Sequence, residues 1–424
     1  MQRRLPTPRS AVVVGAGMVG LSTAWHLCRA GLEVTIIEKD RVAAGSSWGN
    51  AGWLTPPITT PLPEPAILRT ALTAMFSPNS PLYVPLRPDV DLLRFLLGFL
   101  RHSTSAAWRR AMAAYVPLNR ESLEAFDELA AGGVREPTHP TADFLACFRE
   151  VEQHRLLMDE FEQIRAAGQP VTAELLSGDE VRAIAPAVSA AITAGIRLGG
   201  TRFLHPPHYL QALADAAMAD GVVLREAATV TQVDGGTPVR AAGVRVRDAS
   251  GEDEEIRADV VVLATGSWLG RLARPFGVRM VVQAGRGYSF TVPADPMPEV
   301  PLYFPMQRVA CTPLAGRFRV AGMMEFRKPG DPLDPRRIHA IVRATRPLLS
   351  GADFDDRQDE WVGSRPCTPD GLPLIGPTRS PRVIAAGGHG MWGITLGPLT
   401  GRLVTELVTT GRTPDVLLPL DPLR

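Results

Sequence analysis

Lysine is almost missing from this sequence. Of 45 basic residues only Lys39 and Lys328 are lysines, the rest being arginines, which removes lysine from most catalytic roles. Cysteine is scarce as well: Cys28, Cys147, Cys311 and Cys367 are scattered, with no C-x-x-C pair and no metal-ligand spacing. They read as reduced thiols in a cytoplasmic protein, and no metal is expected. Excess charge of either sign is absent too. With 45 basic against 44 acidic residues, a net charge of +1 gives no reason to expect nucleic acid, and there is no acidic tail. Long apolar runs are lacking: stretches such as "VIAAGGHGMWGITLGPLTG" are too broken by glycine and proline for a membrane-spanning helix. Neither a sustained repeat nor a low-complexity tract occurs.

What remains is the composition of an ordinary soluble globular protein, 45% hydrophobic and 21% charged, in a chain of 424 residues long enough for two domains. The basic start "MQRRLPTPRS" resembles the opening of a signal peptide, but the apolar run that follows has another use. "VVVGAGMVGLSTAWHLCRAGLEVTIIEKD", residues 12–40, fits a strand, a tight turn, a helix and a second strand. Gly15 allows the turn, Gly17 lets the backbone approach a pyrophosphate, and Gly20 lets helix and strand pack closely, with Ala16 and Val19 between them. The helix N-terminus then faces the phosphates. Glu38 ends the second strand, where its carboxylate accepts hydrogen bonds from the ribose hydroxyls of an adenosine, with Lys39 beside it.

Downstream, "GSSWGNAGWLTPP" is a small-residue loop whose Ser46, Ser47, Asn50, Ala51 and Gly52 are expected to contact phosphate and ring. A proline-rich stretch from Pro56 to Pro88 then leaves the nucleotide-binding unit. Helical patterns follow in "DVDLLRFLLGFLRHSTSAAWRRAMAAY", "LNRESLEAFDELAAG" and "VEQHRLLMDEFEQIRAAG". After a helix and strand that include Val230, a β-meander ends in "VVVLATGSW", a buried strand that brings Thr265, Gly266 and Trp268 toward the cofactor. Alternating strands from Met280 to Gly322 suggest an antiparallel second domain. A second glycine cluster, Gly387, Gly388, Gly390 and Gly393, precedes the helix "ITLGPLTGRLVTEL". Bare backbone N–H groups and a helix N-terminus, with Met391 and Trp392 in the turn, suit the pyrimidine edge of a flavin, which becomes negative when reduced.

Taken in order, "GAGMVGLSTAWHL", "SSWGNAGWLTP", "RPDVDLLRFLLGFLRH", "LATGSW", "GRGYSF", "WVGSRPCTPDGLPLIGPT" and "GGHGMWGITLGPLTG" resemble the FAD-dependent D-amino acid oxidase superfamily, and most of all its bacterial D-amino acid dehydrogenases. The resemblance implies an α/β, two-domain fold: a glutathione-reductase-like, Rossmann FAD-binding domain (1–58, 150–278 and 350–424) interleaved with a mixed antiparallel-sheet substrate domain (59–149 and 279–349). It implies non-covalent FAD and hydride transfer from the substrate Cα to flavin N5, giving an imino acid that water hydrolyses to a 2-oxo acid and ammonia. It also places Arg365 where glycine oxidase-like members hold the substrate carboxylate, a role that suits a planar guanidinium fork. Where glycine oxidases carry an arginine after "GH", this chain has Met391 and Trp392, which implies a neutral or apolar pocket wall. Gln307 stands near the place of a substrate-domain tyrosine, with Tyr288 and Tyr303 as candidates nearby. His389 is read either as a catalytic base or as a residue that packs on the flavin.

The leading expectation is therefore oxidation of D-amino acids, with electrons passing to a quinone or another acceptor that is not oxygen, because neither lysine stands where one would activate oxygen beside the flavin. An alternative keeps the chemistry and changes the substrate to a secondary or cyclic amino acid such as D-proline, hydroxy-D-proline, sarcosine or glycine. A reading of another class has "DLLRFLLGFLRHSTSAAWRRAMAAY" present apolar residues and Arg94, Arg101, Arg109 and Arg110 to a lipid surface or an electron-transfer partner. That would place a cytoplasmic protein on the inner face of the membrane.

Overall fold

The N-terminal valine run lies at the middle of a six-stranded sheet. In the computed structural model, which describes residues 7–65, 80–85, 88–141, 143–237 and 240–424, the strand Ser10–Val14 pairs in parallel with Glu33–Ile37 on one side and Val260–Leu263 on the other. Val223–Arg225 extends the sheet beyond Glu33–Ile37. Val383–Gly387 adds a further parallel strand beyond Val260–Leu263, and Leu374–Pro377 closes that edge antiparallel. Period-two alternation divides the first strand between two cores. Ala11 and Val13 pack with the helices Met18–Arg29 and Gly393–Thr410, while Val12 and Val14 pack against the antiparallel meander Thr229–Asp234, Ala242–Arg247 and Asp253–Ala258. Both faces are covered, so the strand is almost uniformly apolar.

The second sheet has nine strands. Its path runs Gln358–Cys367, Gln283–Val292, Arg317–Phe326, Val309–Leu314, Leu302–Phe304, Phe144–Phe148, Ala194–Leu198 and Ala173–Ser177, with Leu82–Tyr83 also pairing with Arg317–Phe326. The expected segment boundaries at 150 and 350 do not follow these sheets. Ala173–Ser177, Ala194–Leu198 and Gln358–Cys367 all pair into the large sheet, although each falls within the nucleotide-binding segments that the resemblance implies.

Two helices cover residues 90–131, and they divide earlier than the apolar pattern suggests. Val90–His102 is capped by Asp89, whose carboxylate accepts from the Asp91 and Leu92 N–H groups. Ser105–Ala131 is capped by Thr104, whose hydroxyl accepts from the Ala107 N–H. The second helix runs on through Pro117, so the break is set by caps at 103–104 and not by the proline. Within the proline-rich stretch, residues 66–79 and 86–87 lie outside the described residues.

Candidate active site

The carboxyl ends of Ser10–Val14 and Val260–Leu263 open onto a cavity, about 1350 Å³ of empty space including the solvent at its mouth. Its shape at one end follows from glycine. Gly15 has φ +108°, and a Cβ there would sit 2.5 Å from the Ala264 carbonyl oxygen; on Gly20 it would meet the Gly15 oxygen at 1.9 Å. Strand and helix touch backbone to backbone, which leaves the N-terminus of Met18–Arg29 facing the cavity beside Gly17 and Val19, its Met18 N–H donating to Ser47 Oγ at 3.4 Å. Glu38 lines the same end. Its Oε2 accepts from the Ala16 N–H at 2.8 Å and its Oε1 from the Asp40 N–H at 3.0 Å. Lys39 lines the wall too, its ammonium 4.6 Å from the centre of the Trp268 ring and paired with Asp40.

Ser46, Ser47, Asn50, Val230, Thr265, Gly266 and Trp268 all reach the cavity, as expected from the sequence. The Thr265 hydroxyl is buried there without a hydrogen-bond partner among the described residues, so it is available to a ligand or a water in the cavity. At the far end the wall passes to Arg365, Pro366, His389, Gly390, Met391 and Gly393.

Six of the expected cofactor residues do not line this cavity. Ala16 and Gly20 shape it from behind. The Ala51 carbonyl is turned away onto Thr312 Oγ1, at 2.7 Å. Gly52, at φ +78°, packs against the Leu204 carbonyl, and its N–H donates to the Asn50 side chain at 2.8 Å. Gly388 and Trp392 border a small adjoining void with Tyr115 and Cys367, and the Trp392 indole N–H donates to the Thr60 carbonyl at 2.7 Å. Conversely, Arg271, Leu272 and Ser364 line the cavity although sequence reasoning passed over them. Ser364 had a signal in its place beside Arg365; Arg271 and Leu272 had one in the short helix that follows "ATGSW".

Arg365 owes its position to strand register. It pairs with Gly285 across the Gln283–Val292 strand, so its side chain shares a face with Gly285 and Gly287. A Cβ on Gly287 would lie 2.3 Å from its Nη2, so the guanidinium fills the space that this glycine leaves. Nη1 donates to the Met323 carbonyl at 2.9 Å. Met323 has φ +65° at the irregularity where pairing shifts between Arg286 and Tyr288, and such a bulge re-aims the backbone. Among the described residues no carboxylate lies within ion-pair distance of Arg365. Burial lowers its pKa from the ordinary arginine value, yet a guanidinium still carries its charge at neutral pH.

The same register excludes Tyr288. It sits on the opposite face of the sheet, and its hydroxyl donates to Glu325 Oε1 at 2.5 Å inside a cluster with Arg286, Arg327 and Arg337. Burial, reinforced by that bond, raises the phenol pKa. Tyr288 is therefore a structural partner of Glu325 and does not reach the cavity. Nor do Tyr303 and Gln307 line it. Tyr303 packs edge-on against Trp53 with centroids 5.5 Å apart and accepts from Arg308 Nη1 at 3.4 Å.

His389 reaches the cavity as a neutral ring, because burial drives its pKa down to about 4. Its Nε2 lies 2.9 Å from Thr400 Oγ1, and that hydroxyl in turn donates to the Leu396 carbonyl at 2.8 Å. With the threonine proton committed, Nε2 carries the hydrogen, and the ring is anchored to the helix behind the second glycine cluster. This favours the packing role for His389 over that of a base.

A family profile described as FAD dependent oxidoreductase matches residues 10–407. The chain belongs to that family. This oxidoreductase is 34% identical over 412 residues to a D-amino acid dehydrogenase from Cereibacter sphaeroides, covering 96% of this chain and 92% of the relative. Among solved structures it superposes on glycine oxidase from Geobacillus kaustophilus with a TM-score of 0.71 at 22% identity, covering 98% of both chains. It superposes on an L-proline dehydrogenase from P. horikoshii with a TM-score of 0.69 at 19% identity, covering 99% of this chain and 98% of the other. The cofactor of the oxidoreductase is FAD, and the residues present fit it: a glycine turn, a helix N-terminus, Glu38, and a Thr265 hydroxyl without a partner among the described residues, all along one cavity.

Proposed function

We propose that this oxidoreductase oxidises D-amino acids to 2-oxo acids and ammonia, with Arg365 holding the substrate carboxylate. The observation that carries the reading is a guanidinium that, among the described residues, has a single carbonyl partner and no carboxylate, held at the end of the cofactor cavity. FAD supplies the hydride acceptor when bound. The chain's own share is orientation: Arg365 fixes the carboxylate from the space that Gly287 leaves for its guanidinium, and Pro366 and Met391 offer an apolar wall. Neutral His389 adds no charge that would repel a substrate amine. The names of the relatives support the substrate class, and those of the structural neighbours keep glycine and cyclic amino acids open as alternatives. A steady-state panel of D-alanine, L-alanine, D-proline, sarcosine and an amine without a carboxylate tests it. Turnover of the plain amine as fast as of the amino acids would refute it.

The acceptor is proposed to be a quinone or another acceptor that is not oxygen. Lys39 stands at the nucleotide end of the cavity and Lys328 does not line it, so the wall at the Arg365 end carries no lysine to favour reduction of oxygen. The helix Val90–His102 supports a related reading, contact with an anionic lipid surface from the cytoplasmic side. Its inner face, Leu92, Phe95 and Phe99, packs on Met324, Phe326 and Cys367, next to Met391 of the cavity wall. Its outer face exposes Val90 (65%), Leu93 (57%), Leu97 (60%) and Leu100 (45%) at helical spacing, with Arg94 and Arg101 also exposed. No helix of the described residues is long and apolar enough to cross a membrane, so the contact would be peripheral. Flotation with anionic vesicles should carry the wild-type protein and lose Leu93→Glu/Leu97→Glu; equal flotation of both would remove this reading.

A further inference from the structure

The loop that carries Ser46, Ser47 and Asn50 to the cavity is held from behind by the other sheet. Four consecutive carbonyls are taken. Arg319 Nη1 donates to Trp48 O at 2.8 Å and to Asn50 O at 3.2 Å, Ser289 Oγ donates to Gly49 O at 2.8 Å, and Thr312 Oγ1 donates to Ala51 O at 2.7 Å. The three donors come from three adjacent strands and share one face, because Arg319 pairs directly with Thr312 on one side and with Thr291, two residues from Ser289, on the other. Trp361, opposite Ser289, fills the space under the loop: a Cβ on Gly49 would lie 2.1 Å from its ring.

Arg319 is the unusual member of this set. It is 2% exposed, its guanidinium lies 5.3 Å from the centre of the Trp48 ring, and no carboxylate lies within ion-pair distance of it among the described residues. A buried guanidinium without a counter-ion is costly, and burial lowers its pKa to about 10. Charge-assisted bonds to two carbonyls are what it makes in return.

We infer that Arg319 is a positioning residue for FAD binding, turning the Trp48 and Asn50 carbonyls away from the cavity so that the Ser46–Gly52 loop is set before the cofactor arrives. The inference concerns FAD alone and is independent of the substrate. Titrating the apoprotein with FAD by flavin fluorescence tests it. Arg319→Met should weaken binding by roughly ten- to a hundredfold. Arg319→Lys, which keeps a charged donor, should fall between it and wild type, and Ser289→Ala should lose several-fold. Arg317→Met, two residues along the same strand and bonded instead to Thr291 and Asp356, should bind FAD like wild type. Should Arg319→Met fail to fold, Arg319→Lys and Ser289→Ala carry the test by themselves. Wild-type FAD affinity in Ser289→Ala together with wild-type affinity in either Arg319 variant would overturn the inference, as would an equal loss in Arg317→Met.

Discussion

The two ends of the cavity are built in different ways. The nucleotide end takes its turn and its carboxylate from neighbours in sequence: Gly15, Gly17, Gly20 and Glu38 lie on one strand-turn-helix-strand unit. The Arg365 end is assembled from strands far apart in the chain. Arg365 is held by Met323, given room by Gly287, and faces a turn at 389–393. A site of the first kind depends on local backbone geometry, whereas one of the second depends on strand register, in which a shift of one residue moves every side chain to the other face.

The comparison predicts separable effects, and the largest belongs to the Arg365 end. Arg365→Ala should lower kcat/KM for amino acids by roughly 30- to several-thousand-fold, corresponding to about 2–5 kcal/mol for the loss of a shielded charge partner. FAD content should stay unchanged, and Arg365→Lys should recover only part of the rate. Loss of FAD along with the rate would show that the two ends are not separate.

At the nucleotide end, Glu38→Ala should weaken FAD binding by about 1–3 kcal/mol while KM of the reconstituted enzyme holds. The Ala16 and Asp40 N–H groups lose their acceptor at the same time, so equilibrium binding to apoprotein is the proper measurement.

His389 gives the comparison a pH axis. Its pKa falls from the ordinary 6.5 to about 4 on burial. Between those values the unfolded chain therefore binds the proton that the folded protein refuses. The stabilisation is present above about pH 6.5 and is lost as pH falls toward 4. From about pH 7.5 to about pH 5 the wild type should lose about 2 kcal/mol more than His389→Gln in urea unfolding. Parallel losses would place the imidazole in contact with water.

The smallest kinetic effect is expected at Tyr288. Because its hydroxyl points to Glu325 on the far face, Tyr288→Phe should change kcat/KM by less than roughly threefold. Stability should fall by about 1–3 kcal/mol, since Glu325 loses its donor in a buried cluster. A kinetic loss as large as that of Arg365→Ala would return this tyrosine to the site.

The contrast between Arg365 and Tyr288 shows where reading the sequence ran out. Both lie on paired strands of one sheet, and in both cases the residue type suits an amino acid substrate. Residue type says nothing about which face is presented until the register is known, and here Gly285 stands opposite Arg365 while Val362 stands opposite Tyr288. Tyr303 and Gln307 do not line the cavity: the Tyr303 ring packs on Trp53 and its hydroxyl accepts from Arg308 in its own hairpin. Trp392 misled for a simpler reason: in a tight turn adjacent side chains diverge, so Met391 meets the cavity while Trp392 is tied to Thr60.

By itself the sequence determined the nucleotide-binding unit, because that unit's chemistry lies in a left-handed turn at Gly15, a backbone-to-backbone approach at Gly20 and a carboxylate at a strand end, all within 24 residues from Gly15 to Glu38. Tertiary structure decided the rest. It chose which face Arg365 shares, buried His389 into neutrality, and placed Arg319 behind the Ser46–Gly52 loop. Each of these depends on pairing between segments far apart in the chain, and that pairing is set by packing of the whole sheet, which no local pattern encodes.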